Sequence, residues 1–210
     1  MLIKTLPVGQ LETNCYIVTD EDTLETAVID PGDESNTILD YIESNHLICR
    51  VILLTHGHYD HVGAVEDVME QTGCEMYINP RDEGYEPGLS GMMFKMPEGG
   101  KYYDEGDIIK VGSVRFGVIA TPGHSPGSVT LLCGDDKPGG DVLFTGDTLF
   151  RGSCGRTDLP RGSMQMEMLS LKKICELPGD YEVYPGHMDS SSLERERRFN
   201  YYCREAMAKY

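Results

Sequence analysis

Half of the chain's six histidines crowd into THGHYDH at 55–61, with Asp60 lying between the last two. Three echoes follow: VIATPGH ends in His124, VLFTGD in Asp147 and VYPGH in His187. Together with VILLTHGH they make four apolar runs that each end in a glycine-marked turn carrying a histidine or aspartate. Imidazoles and carboxylates without a required thiolate are the ligand set suited to zinc, iron or manganese. His56 and His58 stand two residues apart and share one side of an extended segment, where a helix would splay them. Asp60 and His61 lie further on, where the chain turns into a helix, and face a different point. One short segment can therefore feed two neighbouring metal ions. Of the six histidines only His46 falls outside these turns.

Side chains so far apart in sequence meet only if the elements beneath them line up. Open α/β sheets place their sites beyond the strand C-termini, and glycines let the backbone bend sharply there. LIKTLPV, NCYIVT and TAVID are β-favouring runs separated by the turn formers TDED and DPGDES. VILLT (51–55) is continuously apolar, as a strand buried on both faces would be. IIKV, VRFGVIA, SVTLLC and DVLFT supply further strands after residue 107. Residues 35–46 carry Ile38, Leu39 and Ile42 on a helical stripe with Ser35 as N-cap; residues 61–71 repeat the pattern with Val62, Val65 and Met69. Helices are also expected at 163–176, striped by Met164, Met168, Leu171 and Cys175 as core filler, and at 190–209. Residues 79–106 have no clean period and read as a long loop that shapes substrate access. This order of strands and helices predicts two packed sheets with helices outside, an α/β sandwich.

The bulk composition narrows the partners. With 210 residues, 40% of them hydrophobic, the chain suits one domain, 1–210, with a sizeable core. A formal charge of -17 repels a phosphate backbone, so nucleic acid is not an expected partner. The densest basic stretch, ERERRF at 194–199, alternates with acids as a solvated helix face does. Seven widely spaced cysteines without a CxxC pair fit neither a disulfide framework nor a cysteine zinc site. MLIKTLPVGQ has no signal-peptide core, and no run approaches the ~18 apolar residues needed to cross a bilayer. A reducing cytoplasm is the expected location.

His56, His58, Asp60 and His61, followed by His124, Asp147 and His187, resemble the metallo-β-lactamase superfamily in order and across nearly the whole chain. The resemblance implies a four-layer αββα sandwich with a dinuclear site at the edge of its sheets. It also implies that His56, His58 and His124 hold one divalent ion and that Asp60, His61 and His187 hold a second. Asp147 would bridge the two. Asp60 and Asp147 are the carboxylates expected to serve catalysis as well as ligation. The expected ions are zinc, with iron or manganese as alternatives.

Two such ions lower the pKa of a shared water and give hydroxide near neutral pH, and one can polarise a substrate carbonyl. LFRGSCGRTDLPRG (149–162) resembles the glyoxalase II-like branch, which points to a small-molecule acyl-thioester as the substrate. A thiolate leaves without prior protonation, whereas an amide would need a positioned acid. In that branch the position of Arg156 is a cation that helps bind glutathione, and an arginine can clamp a carboxylate in two-pronged fashion; its ordinary alternative is a loop salt bridge. Asp158 and Asp189 stand where classical glyoxalase II has substrate-binding tyrosines, and its C-terminal helical domain has no counterpart in these residues. CGRTD (154–158) also resembles persulfide dioxygenases, which would use one iron on His56, His124 and Asp147. A non-catalytic metal-binding scaffold is the third reading. No membrane contact is expected, and a homo-oligomer is left open.

Three smaller expectations concern the site's rim. Cys154 would be reactive if Arg151 and Arg156 lowered its pKa, and otherwise an inert small hydrophobe. Ser125 and Ser128, flanking Pro126, shape a turn rather than act as nucleophiles. Tyr59 packs beside the site.

Overall fold

The computed structural model describes residues 1–84, 94–135 and 140–210. Six strands form the first sheet in chain order: β1 (Leu2–Val8), β2 (Thr13–Thr19), β3 (Glu25–Ile29), β4 (Ile48–Leu53), β5 (Glu75–Ile78) and β6 (Lys101–Tyr102). β1, β2 and β3 are antiparallel neighbours, and β3 to β6 run parallel. Next come β7 (Ile108–Val111), β8 (Val114–Ala120), β9 (Val129–Gly134) and β10 (Val142–Gly146), then a small ribbon of β11 (Leu149–Phe150) and β12 (Ser153–Cys154). β13 (Glu182–Pro185) and β14 (Ser191–Ser192) complete the second sheet, ordered β14-β13-β10-β9-β8-β7.

The helices are α1 (Ser35–Ser44), α2 (Tyr59–Val62), α3 (Val65–Thr72), α4 (Met164–Cys175), α5 (Leu193–Phe199) and α6 (Tyr201–Lys209). Strand alternation sorts the apolar side chains into three interlayers. Tyr16 and Val18 of β2 face Phe116, Leu131 and Phe144 between the sheets. Ile17, on the opposite side of β2, packs with Ile38, Val65 and Val68 beneath α1 and α3. Leu143 and Val183 meet Met168, Leu171, Leu193 and Cys203 beneath α4 to α6. The result is the four-layer αββα sandwich, the metallo-β-lactamase fold.

Several local expectations need correction. Ser35 is the first residue inside α1, not its cap; Glu34 occupies the cap position in a left-handed conformation without a side-chain cap bond. The helix expected over 61–71 is broken at Gly63–Ala64, where the amide of Ala64 bonds to the carbonyl of Pro31 instead of continuing the turn. The final helix is broken at Asn200, whose side chain caps α6 through the amides of Tyr202 and Cys203. Met164 is exposed, so only Met168, Leu171 and Cys175 of its stripe reach the core. ERERRF is not wholly a solvated face: Glu196 is buried and accepts hydrogen bonds from Gly152, Asn200, Ser191 and Arg195. The partly ordered loop expected over 79–106 contains a 3-10 turn at Pro80–Asp82 and strand β6. Its residues 85–93 lie outside the described residues. Among the described residues no helix is long and apolar enough to cross a membrane, and all seven cysteines are free and buried.

Candidate metal centre

Every one of the four turns singled out in the sequence follows directly on a strand: β4, β8, β10 and β13. Backbone bonds stitch these turns together across the two sheets. Val129 donates to the carbonyl of Thr55 at 2.9 Å, Asn14 to that of Gly186 at 2.7 Å, and Gly186 to that of Gly146 at 2.8 Å. Strand ends from both sheets are thereby held at one edge, and their side chains converge.

The structure brings all seven residues into one cluster. Candidate ligand atoms of His56, His58 and His124 lie within 4.8 Å of one another, as do those of Asp60, His61 and His187. Asp147 touches both groups. Its Oδ1 lies 3.5 Å from His61 Nε2, and its Oδ2 lies 3.5 Å from both His124 Nε2 and His187 Nε2. Asp60 Oδ2 stands 3.2 Å from His187 Nε2 and 3.5 Å from His61 Nε2. Four ligands tetrahedrally placed at ~2.0–2.1 Å from zinc are separated by edges of about 3.4 Å, so these spacings fit ligands grouped about ions. His58 Nδ1 and His124 Nε2 approach to 2.8 Å.

Orphaned atoms carry the same implication. Among the described residues, four buried side-chain polar atoms have no hydrogen-bond partner, and three of them are His56 Nε2, His61 Nε2 and Asp147 Oδ1. Buried polar atoms are rarely left without partners, and these three lie in one cluster. Tautomers agree with this arrangement. The Nδ1 atoms of four rings are taken up: His56 by Thr55 Oγ1 at 3.0 Å, His61 by Asp30 at 2.9 Å, His124 by the carbonyl of Arg156 at 2.7 Å, and His187 by that of Leu11 at 3.1 Å. Each ring is thereby oriented to present Nε2, as outer partners orient metal-bound histidines. Both the donor chemistry and the geometry fit two divalent ions on these seven residues.

Electrostatics divide the cluster. Burial drives His56 far below the ordinary histidine range, helped by His61 and His58. Burial and His124 bring His58 down to about 4. Both rings are therefore neutral near pH 7 and have lone pairs to offer. Burial also disfavours charge on His61, but Asp147, Asp30 and Asp60 outweigh it and push this ring up to about 9. Asp60, despite burial, is held below the usual carboxylate range by His187 and His61.

Composition and spacing did not reveal the groups that brace these ligands. Asp30 accepts from the amide and hydroxyl of Thr55 at 2.7 and 2.6 Å, and it bonds to His61. It also lies within ligand distance of His56 and His61, yet its oxygens are already occupied, so it acts as a brace. The signal was present, since TAVIDPG is a fifth apolar strand ending in a carboxylate before a glycine turn. Asp82 accepts from the amides of Gly57 and Gly127 at 2.9 and 2.6 Å and from Ser125 Oγ at 2.6 Å. Glu167, wholly buried in α4, accepts from the amide of His124 at 2.9 Å. Nothing in NPRDEG or in the helical stripe announced these last two.

Close approach explains two of the glycines. A methyl group at Gly186 would lie 2.2 Å from Asp147 Oδ1 and 2.7 Å from His61 Cε1. At Gly57 it would meet the carbonyl of Asp82 at 2.6 Å.

Above the cluster opens a cavity of about 730 Å3, walled by Leu11, Tyr59, Phe150, Leu159 and Met188. Tyr59 stands beside the site as expected. Ser125 and Ser128 do shape their turn, the amide of Ser125 donating to Ser128 Oγ. Arg156 lines the cavity but is bonded to Asp158 in two-pronged fashion, Nε to Oδ1 at 2.7 Å and Nη2 to Oδ2 at 2.8 Å. Arg151 is paired with Asp189 at 3.1 Å. Both cations near Cys154 are thus engaged, and burial, with Glu167 adding to it, pushes its thiol up to about 12. Of the two readings of Cys154, the inert small hydrophobe therefore holds.

Comparison with known proteins follows the same line. The family model described as metallo-beta-lactamase superfamily matches residues 8–187. Hydroxyacylglutathione hydrolase GloC of Haemophilus influenzae is 33% identical, over 95% of this chain and 97% of its own. The crystal structure of TTHA1623 in a di-iron-bound form is 36% identical with a TM-score of 0.80, covering 95% of this chain and 99% of that one. ETHE1 from Myxococcus xanthus is 28% identical with a TM-score of 0.80, covering 99% and 88%.

Proposed function

This chain belongs to the metallo-beta-lactamase superfamily, and from that premise we propose that it is a metal-dependent hydrolase of acyl-thioesters, similar to glyoxalase II. The observation that carries the reading is the pair of ligand triads sharing Asp147 at the floor of an apolar cavity. His56, His58 and His124 would hold one ion, Asp60, His61 and His187 the other, and Asp147 would reach both. Zinc is the first choice, with iron or manganese suited to the same donors. Bound there, two such ions supply a water acidified toward neutrality and a Lewis acid for the carbonyl oxygen.

The chain's own groups account for the rest. Asp60 and Asp147 place two carboxylates facing the cavity floor, where they fix the ligand geometry and can accept a hydrogen bond from an attacking water. Leu11, Phe150, Leu159 and Met188 pack against the acyl and thiol parts and exclude bulk water from the reacting bond. Water adds to the acyl carbon, the carbon–sulfur bond breaks with its electron pair leaving on sulfur as a thiolate, and the water's two protons pass to solvent as the acyl group departs as a carboxylate. With a thiol pKa of ~8.5, this leaving group needs no proton delivered beforehand. That suits a cavity whose own thiol, Cys154, is too weak an acid to give one. Seven free, buried cysteines support a reducing cytoplasm as the setting.

Purified protein with its metals quantified is to be assayed against acyl-thioesters, the matching oxygen esters and amides. Thioester cleavage that falls at least 100-fold in Asp60→Ala is the expected result. Oxygen uptake with a thiol persulfide, without thioester turnover, would move the function to a single iron on His56, His124 and Asp147. Failure of every substrate with metal bound would leave a scaffold.

A further inference from the structure

Charge at the cavity mouth bears on which thiol the substrate carries. Arg156 is the only lysine or arginine lining the cavity among the described residues. Both prongs of its guanidinium are spent on Asp158, two residues along the same loop. Glu12 lines the same mouth, is exposed, and has no cationic partner among the described residues. The mouth therefore presents one closed ion pair, Arg156–Asp158, and the unpaired carboxylate of Glu12, beside the apolar walls of Leu11, Phe150, Leu159 and Met188.

We propose, building on the thioesterase reading, that the substrate's thiol part is a small thiol without carboxylates, and that Asp158 sets this preference by occupying Arg156. The pair is exposed on both sides, 63% for Arg156 and 69% for Asp158, and an exposed ion pair is weak. Strength is not what the preference needs. When the pair opens, the Asp158 charge stays near the guanidinium, because the two residues stand only two positions apart on one loop. An incoming carboxylate meets a cation and an anion together, with the Glu12 carboxylate lining the same cavity. The backbone of Arg156 cannot swing away to separate them, since its carbonyl holds His124 Nδ1 at 2.7 Å. A carboxylate-free thiol loses nothing at this mouth and still buries its chain on Leu11, Phe150, Leu159 and Met188.

The test uses the metal-loaded full chain and two lactoyl thioesters, one on N-acetylcysteamine, which is uncharged, and one on glutathione, which carries two carboxylates. Wild type is expected to favour the uncharged carrier at least tenfold in kcat/KM. Asp158→Asn should close that gap about tenfold, chiefly through KM of the glutathione thioester. Asp22→Asn, which removes an exposed charge elsewhere, should leave the gap within twofold. Rising salt should narrow the wild-type gap, as screening of exposed charges requires. A wild-type preference for the glutathione thioester overturns the inference, as does an unchanged gap in Asp158→Asn or equal closing in Asp22→Asn. Turnover of both thioesters without preference sinks this inference alone; turnover of neither sinks the thioesterase reading and takes this one with it.

Discussion

Removing the Asp82 carboxylate should loosen the centre without touching a single proposed ligand. Three donors converge on this buried side chain: the amide of Gly57, between His56 and His58, the amide of Gly127, and Ser125 Oγ beside His124. In Asp82→Ala the hydroxyl of Ser125 keeps Ser128 as a partner at 2.6 Å, so the cost falls on the two amides. A buried donor stripped of its partner costs ~1–3 kcal/mol, which gives about 2–6 kcal/mol for the pair. A crevice bounded by Gly57, His58, Ser125 and Pro160 adjoins the vacated space, and water entering there would hold the loss to the lower half, about 2–4 kcal/mol. Asp82→Asn keeps one oxygen and should lose roughly half as much. Because both amides belong to turns that aim ligands, affinity for the ions should fall about 10- to 100-fold, the usual effect of disturbing an outer partner. Urea unfolding of the loaded protein measures the first quantity, and competition with a chromogenic chelator measures the second. A loss below 1 kcal/mol in Asp82→Ala together with unchanged metal affinity would refute the reasoning.

Two further outcomes follow from the same kind of accounting. Gly186→Ala should displace Asp147, whose Oδ1 would lie 2.2 Å from the new methyl group; turnover should fall at least 100-fold and metal content should drop, while overpacking costs ~1–3 kcal/mol in unfolding experiments. Glu196→Gln tests the buried carboxylate joining α5 to the Gly152 turn. Burial works against its charge, but Ser191, Gly152, Asn200 and Arg195 hold its pKa below the ordinary glutamate value. A depressed folded pKa stabilises above the unfolded value of ~4.3 and is lost as pH falls through the folded one. The variant should be less stable than wild type at pH 7, and denaturant unfolding should show the two converging below about pH 4; a constant difference down to pH 3 would count against this.

How much of this was legible in the sequence differs by kind of residue. The candidate ligands could be found because each follows the apolar end of a strand at a glycine-marked turn, so His124, Asp147 and His187 shared a signature that chemistry made conspicuous. Sheet membership was readable too: the β-favouring run NCYIVT and the apolar continuity of VILLT match strands buried on both faces. Helix ends were not. Gly63–Ala64 fits a helical stripe, and only the tertiary bond from Ala64 to the carbonyl of Pro31 breaks it. Glu196 was hidden for a related reason, since its partners come from Gly152, Ser191 and Asn200, which no local pattern links to ERERRF. Asp82 and Glu167 look like ordinary acids until the fold carries them under turns they never approach in sequence. Arg156 shows the opposite failure: its charge was plain, but its partner two residues later decides what that charge can do.

Arg156 is also shared between two tasks by different parts of the same residue. Its main chain orients His124 of the candidate metal centre, while its side chain lines the cavity above it. Replacing the side chain leaves the carbonyl in place, so on the proposed reading position 156 could be changed at the entrance while His124 keeps its orientation. A lineage built this way is free to change diet without rebuilding its teeth.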